Sequence, residues 1–550
     1  MICSALCLFF MGSTGFTPQN SQSKLSSFRG LDQGRGEVRS CQWDRALTLS
    51  AVVKANVVMG FFAATVLASY GLASPSGEMS EPPADLGASE SPPDSAGRDA
   101  GALEKAPVVA LDDLAQHVGE RVTVEDMVKA VSSSPRSGSI YVNFGDAYPR
   151  QKLSLKIAKE HEDLGKSAYR LWGLQVRVTG VVESGKDGPS MAITSADQVE
   201  VVKDDSIDLL AVARGEPGFP ERTPPGPYDH VPPDGDTFGA LLGWKLEKLF
   251  REGRYEELEE VAAAWRKPEA RMLDGRWHLF VFYNVFGISS RASEEAFAEW
   301  RRKLEDWRTA RPEAIEPVIL LASLECSYAW RARGNGWAHT VTKEGWRLMA
   351  ERLEKAKALL DSIYERRLEC PEWTTNMQSV ALGQGWPDRK VKAMLAEATA
   401  AWPEYWPLYF AQAHRLLPRW GGAPGEWEAY SRSFPGDLGK ELSVRIPWAQ
   451  SWPFSNMFKE ADIPWSQMRD GFEFLVRRYP KSARTKSAYA RYAAIAEDKE
   501  TCQRLLDELG DDVSMEFFMS WQNVDIIRQW IASSGQPPPF FLTPQKAEGK

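Results

Sequence analysis

Seven prolines between Pro217 and Pro233 divide this chain more sharply than any other feature. Proline fixes φ, lacks a backbone donor and pushes the residue before it out of helical geometry, so no helix runs through such a stretch. The hydrophobic pattern changes across it as well. Upstream, apolar and polar residues alternate; downstream, apolar residues recur at three- and four-residue spacing almost to the end. Residues 204–236 are therefore expected to be a Pro-rich, semi-rigid linker between a β unit and a helical unit.

The β unit is expected over residues 107–203. Val122 and Val124 alternate in a first strand, Ile140, Val142 and Phe144 in a second, and Leu153, Leu155 and Ile157 in a third. Residues 158–171 have a helical composition, and two further strands follow at 174–184 and 191–202. Three strands, a helix and two strands is the order of a five-stranded Greek-key barrel. The segments Gly119-Glu-Arg-Val-Thr-Val, 137–149 (SGSIYVNFGDAYP) and Leu174-Gln-Val-Arg-Val-Thr-Gly-Val-Val resemble bacterial oligonucleotide- and oligosaccharide-binding (OB-fold) domains of the nucleic-acid-binding type. That resemblance implies a small all-β OB-like barrel. On it, Tyr141, Asn143, Lys152 and Lys156 would share an outward face, with a ring for stacking bases and cations for tracking phosphates. A net charge of −9 argues against nucleic-acid binding through bulk electrostatics, so the competing readings are a protein or glycan docking face and a face that merely packs on its neighbour.

Nineteen of the 21 tryptophans fall in the helical unit, expected over 237–530. Leu241, Leu242, Leu246, Leu249 and Phe250 form one stripe, Gly253 ends that helix, and Tyr255, Leu258, Val261, Ala262 and Trp265 begin its partner. Comparable pairs recur at 297–307 with 318–330, at 346–360 with 377–382, and at 391–402 with 408–417. The order Tyr479-Pro480, 488–494 and 502–509 follows tetratricopeptide-type repeats. The stretches 330–338, Gly385-Trp386, Trp402-Pro403 and 416–422 resemble an uncharacterised bacterial helical family with tetratricopeptide-like architecture. The expected fold is thus multidomain, a five-stranded barrel plus a large all-α irregular helical-repeat solenoid. Arg331, Arg333 and Arg419 are candidates to line a groove with Trp337 and Trp420, suited to an anionic peptide or sugar. The competing reading is structural: Arg333 and Gly334 end one helix, and Pro418 to Gly422 stop another.

Residues 57–73 form an apolar run preceded by Arg45 and Lys54 and closed by Gly71-Leu72-Ala73, the small-residue pattern of a signal-peptide cleavage site. Residues 1–73 are expected to hold an upstream segment with a signal peptide, and the protein to be exported to the periplasm or cell envelope. An uncleaved anchor at 57–73 is the alternative. Residues 74–106 have the composition of a disordered acidic linker, and residues 531–550 that of a disordered tail.

Chemistry-bearing motifs are sparse. The six histidines are scattered, no phosphate-cradling or dinucleotide loop is present, and no cofactor or metal is implied. Cys326, Cys370 and Cys502 are widely spaced; a bridge between the first two would need their helices to pack together. These features favour a noncatalytic exported scaffold that binds a protein or peptide through its helical surface and uses the barrel as a second docking module. The alternatives are single-stranded nucleic-acid binding by the barrel, and an exported hydrolase with a site between the domains.

Overall fold

The computed structural model describes residues 106–535, apart from 135–136, 162–163, 166–167, 186, 203–206, 217, 219–235, 289–291, 335, 452–453 and 455. The apolar run at 57–73, the acidic segment to residue 105, most of the Pro-rich linker and the last fifteen residues lie outside the described residues.

Seven strands come first: β1 (Arg121–Ser133), β2 (Ile140–Phe144), β3 (Leu153–Ile157), β4 (Gln175–Val181), β5 (Glu183–Gly185), β6 (Gly188–Ile193) and β7 (Val199–Val201). Alternation decides which side is buried. Leu153, Leu155 and Ile157 of β3 and Val176 and Val178 of β4 enter the core, as their spacing dictates.

The sheet is not the five-stranded OB-like barrel expected. Its strands run β5-β6-β3-β2-β1-β4-β7, with a parallel β3–β6 pair and antiparallel pairs elsewhere. β1 is 13 residues long and irregular between Val128 and Ala130, so its first half pairs with β4 and its second half with β2. The expected strand at 174–184 divides at Val182 into β4 and β5, and that at 191–202 divides at the 3₁₀ turn Ala196–Gln198 into β6 and β7. The ladder then ends at β5 on one side and β7 on the other, whereas a barrel requires its edges to be joined. The expected helix at 158–171 is only partly described and includes a 3₁₀ turn at Tyr169–Leu171.

The remainder is one large, mostly helical region. After the short α1 (Leu209–Ala213) come α2 (Asp236–Arg251), α3 (Tyr255–Trp265), α4 (His278–Val285), α5 (Glu294–Ala310), α6 (Glu316–Arg333) and α7 (Lys343–Asp361). Next are α8 (Pro371–Gly383), α9 (Asp388–Ala401), α10 (Trp406–Arg415), α11 (Glu426–Ser431) and α12 (Gly436–Gln450). The chain closes with α13 (Met457–Glu460), α14 (Trp465–Arg478), α15 (Ala483–Ile495), α16 (Lys499–Leu509), α17 (Met515–Phe518) and α18 (Trp521–Ile531).

Two kinds of helix alternate. Helices such as α7 and α16 bury one stripe, Met349, Leu353, Ala356 and Leu360 in the first and Cys502, Leu505, Leu506 and Leu509 in the second. By contrast, α6, α8 and α10 are buried nearly all round and pack side by side, with α12 next in line. Some polar groups in this inner layer find backbone partners: Asn376 Nδ2 donates to Glu372 O at 2.9 Å and Gln378 Nε2 to Leu408 O at 3.2 Å. Pro447 inside α12 has no N–H for Ser443 O, and Gln467 Nε2 donates to that carbonyl instead at 2.8 Å. Cys326, Cys370 and Cys502 are buried and not joined by a disulfide, so the bridge between α6 and α8 is absent although the helices touch.

The chain from Ala270 through α4 lies against this inner layer. Tyr283 hydroxyl and Cys370 Sγ are 3.4 Å apart, and Trp277 Nε1 donates to Glu404 O at 2.8 Å. Trp265 Nε1 of α3 donates to Leu209 O of α1 at 3.0 Å, and among the contacts that join the β and helical regions Trp521 Nε1 donates to Asp146 Oδ1 at 2.6 Å.

Candidate functional site

Of the residues proposed for the sheet, Tyr141 lies opposite Lys156 and Asn143 opposite Ser154 across the β2–β3 ladder. They do share a face, but it is not an open platform. Asn143 is 2% exposed and its Oδ1 accepts from Ser154 Oγ at 2.7 Å. Lys152 pairs with Asp112 at 2.6 Å, and this carboxylate holds the amine above its usual range. Lys156 is exposed and Tyr141 half-buried, leaving one ring and one cation side by side.

The helical candidates separate into two directions. Arg331 turns towards α5, where it pairs with Glu294 at 3.2 Å and lies over the Phe297 ring. Arg333, Trp337, Arg419 and Trp420 come together, joined by Trp330 and Trp346. The Arg333 guanidinium is 5.5 Å from the Trp346 centroid and 5.4 Å from that of Trp420; the Arg419 guanidinium is 5.6 Å from Trp420 and 5.7 Å from Trp337. Rings and cations thus alternate along a ladder, Trp346, Arg333, Trp420, Arg419, Trp337. Arg333 is itself buried and its Nη1 donates to Gly334 O and Gly336 O, which latches the turn carrying Trp337. Gly334, at φ 72°, is what lets the chain leave α6 in that direction. At the ends of the ladder, Trp337 is 57% and Trp346 40% exposed.

A second site was not anticipated from the sequence. Arg276, Trp277 and Phe280 at the start of α4, Trp406, Pro407 and Phe410 of α10, Arg445, Trp448 and Ala449 of α12 and Arg484 of α15 line a partly open pocket of about 510 Å³, its mouth included. Its scaffold is the hairpin turn before α4. Asp274 Oδ2 accepts from Arg276 Nε at 2.6 Å and Arg484 Nη1 at 3.1 Å, while Asp274 O accepts from Arg445 Nη2 at 2.7 Å. Arg445 continues to Glu441 at 2.9 Å, and Arg484 grips Glu516 with two bonds of 2.7 and 2.8 Å. Burial pushes the Asp274 carboxyl upward, but Arg276, Arg484 and Arg445 outweigh it and hold the group below its usual range. The Arg445 guanidinium lies over Trp406, 3.5 Å from its centroid. Local spacing held part of the signal: 406 with 410 and 445 with 448 and 449 each share one helix face. Nothing local brings those faces together, because Asp274 and Arg484 meet across 210 residues.

His278 and His414 are buried, and burial lowers both to about 3, so they stay neutral at ordinary pH. Among the described residues no group of three His, Cys, Asp or Glu side chains gathers as a metal site requires, and no helix is long and apolar enough to cross a membrane. Both places hold guanidinium groups against aromatic rings.

No curated protein and no solved structure matches the chain. Residues 244–375, from within α2 to the first turn of α8, match the model of a family described as a domain of unknown function (DUF4034). The chain is therefore an all-β region followed by a helix-rich region, part of which is similar to that uncharacterised family.

Proposed function

We propose that this protein is a noncatalytic, exported binding protein that recognises a protein or peptide segment through the tryptophan–arginine ladder at the ends of α6 and α10. The observation that carries this reading is the exposure of Trp337 and Trp346 at the ends of an alternating stack whose middle is packed. Large exposed rings held rigid by neighbouring guanidinia bind with little loss of side-chain freedom, and tryptophan and arginine dominate the energetics of protein interfaces. Export is supported by the apolar run at 57–73 and the small residues that close it.

The test is cross-linking with mass spectrometry in the native cells, comparing the wild-type chain with a Trp337→Ala/Trp346→Ala variant. A defined partner set lost in the variant, with melting temperature unchanged, is the expected result. An identical set in both would remove the ladder as the recognition surface. Mass spectrometry of the mature amino terminus checks the compartment: a terminus near Ser74 agrees with export, whereas peptides from residues 1–50 in the mature protein contradict it.

A further inference from the structure

The ladder at the ends of α6 and α10 continues onto the loop after α8. Arg415 Nη2, at the end of α10, donates to Trp386 O at 2.9 Å, and the Lys390 amine lies over the Trp386 ring, 3.3 Å from its centroid. This edge therefore presents a further tryptophan–cation pair beside the exposed Trp337 and Trp346. Lys343 stands one helical turn before Trp346, so a cation and a ring share that face as well. Among the described residues, Lys343, Arg389 and Lys390 are exposed and none of them meets a carboxylate at ion-pair distance. The acids beside them in sequence, Glu344 and Asp388, are held by Arg347 and Lys392. The edge thus combines open rings with cations that have no acid of their own.

The chain carries a segment with the complementary pattern. Residues 78–105 hold seven carboxylates and two cations, and two proline pairs there are flanked by acids, in Glu81-Pro82-Pro83-Ala84-Asp85 and in Glu90-Ser91-Pro92-Pro93-Asp94. Proline pairs favour the polyproline II form, whose rings dock on aromatic surfaces with little loss of chain freedom. A tryptophan with a cation beside it takes a proline together with the neighbouring acid. These residues lie outside the described part of the chain, which begins at Ala106. Pro82 is 24 positions before Ala106, a reach of up to about 80 Å, against a radius of gyration of roughly 22 Å for a compact region of this size. We propose that residues 78–99 of the same chain occupy this edge, with prolines on Trp337, Trp346 and Trp386 and acids on Lys343, Arg389 and Lys390, and that an external partner binds by displacing them. The inference rests on the ladder being the recognition surface, and it gives that surface a ligand class: an extended peptide in which proline pairs alternate with acids.

The full chain is treated with a carbodiimide, which joins a carboxylate to a lysine amine in direct contact, in an equal mixture of unlabelled and heavy-nitrogen protein. Mass spectrometry then maps each link and tells one chain from two. Links from Glu81, Asp85, Glu90 or Asp94 to Lys343 and Lys390 within one chain are expected, with the exposed Lys156 of the sheet unlinked. They should be lost in a Trp337→Ala/Trp346→Ala variant. They should also be lost when Pro82, Pro83, Pro92 and Pro93 are all replaced by glycine, which keeps every charge, and hydroxyl-radical labelling of Trp337 and Trp346 should then rise. If the tryptophan variant fails to fold, the proline variant decides. Absent links, links spread equally to Lys156, links only between two chains, or unchanged links in the proline variant overturn the proposal. The partner set in cells is read separately. A set that depends on Trp337 and Trp346 without these internal links keeps the ladder as the recognition surface and removes its internal occupant, whereas loss of both removes the ladder itself.

Discussion

Trp521 Nε1 donates to Asp146 Oδ1 at 2.6 Å across 375 residues of chain, tying the first turn of the last helix to the β2–β3 loop. The Trp521 backbone N–H donates to Tyr148 O at 2.9 Å, and the Arg150 guanidinium covers the ring at 3.9 Å while pairing with Asp511 at 3.0 Å. One buried side chain is therefore the centre of this junction. Trp521→Phe keeps most of the apolar volume and loses the N–H, which should cost about 1 kcal/mol; Trp521→Ala should cost roughly 3–5 kcal/mol. Hydrogen exchange checks the location: protection should fall in β2, β3 and α18 before it falls in α6 to α10.

Gly275 turns the hairpin that places Asp274 and Arg276. Its φ is 83°, and a Cβ there would lie 2.3 Å from Tyr479 Cζ, so two separate constraints exclude a side chain. Gly275→Ala is expected to destabilise by more than the roughly 1 kcal/mol of a left-handed alanine alone. Adding Tyr479→Ala should recover the steric part and not the conformational part. Denaturant melts of the two single variants and the double variant test this; strict additivity would contradict it.

Acid should unfold the protein through two histidines. Burial lowers His278 and His414 to about 3 in the folded state, against an ordinary value near 6.5. Between those values the unfolded chain binds protons that the folded chain refuses, so the stabilisation is complete above about pH 6.5 and is lost as pH falls towards 3. Each histidine accounts for a few kcal/mol at most, to order of magnitude. Asp274, held low by its arginines, adds a further loss below the ordinary carboxylate range. Melting temperature measured from pH 8 to pH 4 should fall below pH 6.5, and His278→Gln or His414→Gln should flatten that slope. A flat wild-type profile would refute the assignment.

Cys326, Cys370 and Cys502 should behave as small apolar residues. All three are buried, and burial holds the Cys370 thiol above its ordinary range and pushes that of Cys502 up to about 12. A thiol reagent should label them only on unfolding, in native and reduced samples alike. Rapid labelling of the folded chain at any of the three would contradict the packing.

The parts legible in the sequence are those in which one side of an element faces solvent. The stripe of α16, Cys502, Leu505, Leu506 and Leu509, and the alternation of β3 are imposed by a half-buried surface. No such period marks α8, whose Thr374, Thr375, Asn376 and Gln378 are as buried as its Val380, nor α4, where seven of eight residues are buried. The candidate ladder was partly legible, because Arg333-Gly334 and Pro418 to Gly422 are helix-stop signals that also carry its arginines and Trp420. Arg331, two residues from Arg333, points elsewhere, since residues i and i+2 do not share a helix face.

What the chain determines by itself is where period-two and helical patterning begin and end and which faces are apolar, because both follow from local geometry and the exclusion of apolar surface from water. Whether the strand edges join, and which buried charges meet, is decided only in three dimensions. The expected barrel gave way to an open sheet because a long irregular β1 shares its pairing between β2 and β4 and the last two expected strands each divide, leaving β5 and β7 as unjoined edges. The pocket exists because Asp274, Arg445, Arg484 and Glu516, distant in sequence, are desolvated together, and a charge buried by packing requires a partner from whichever element the fold brings to it.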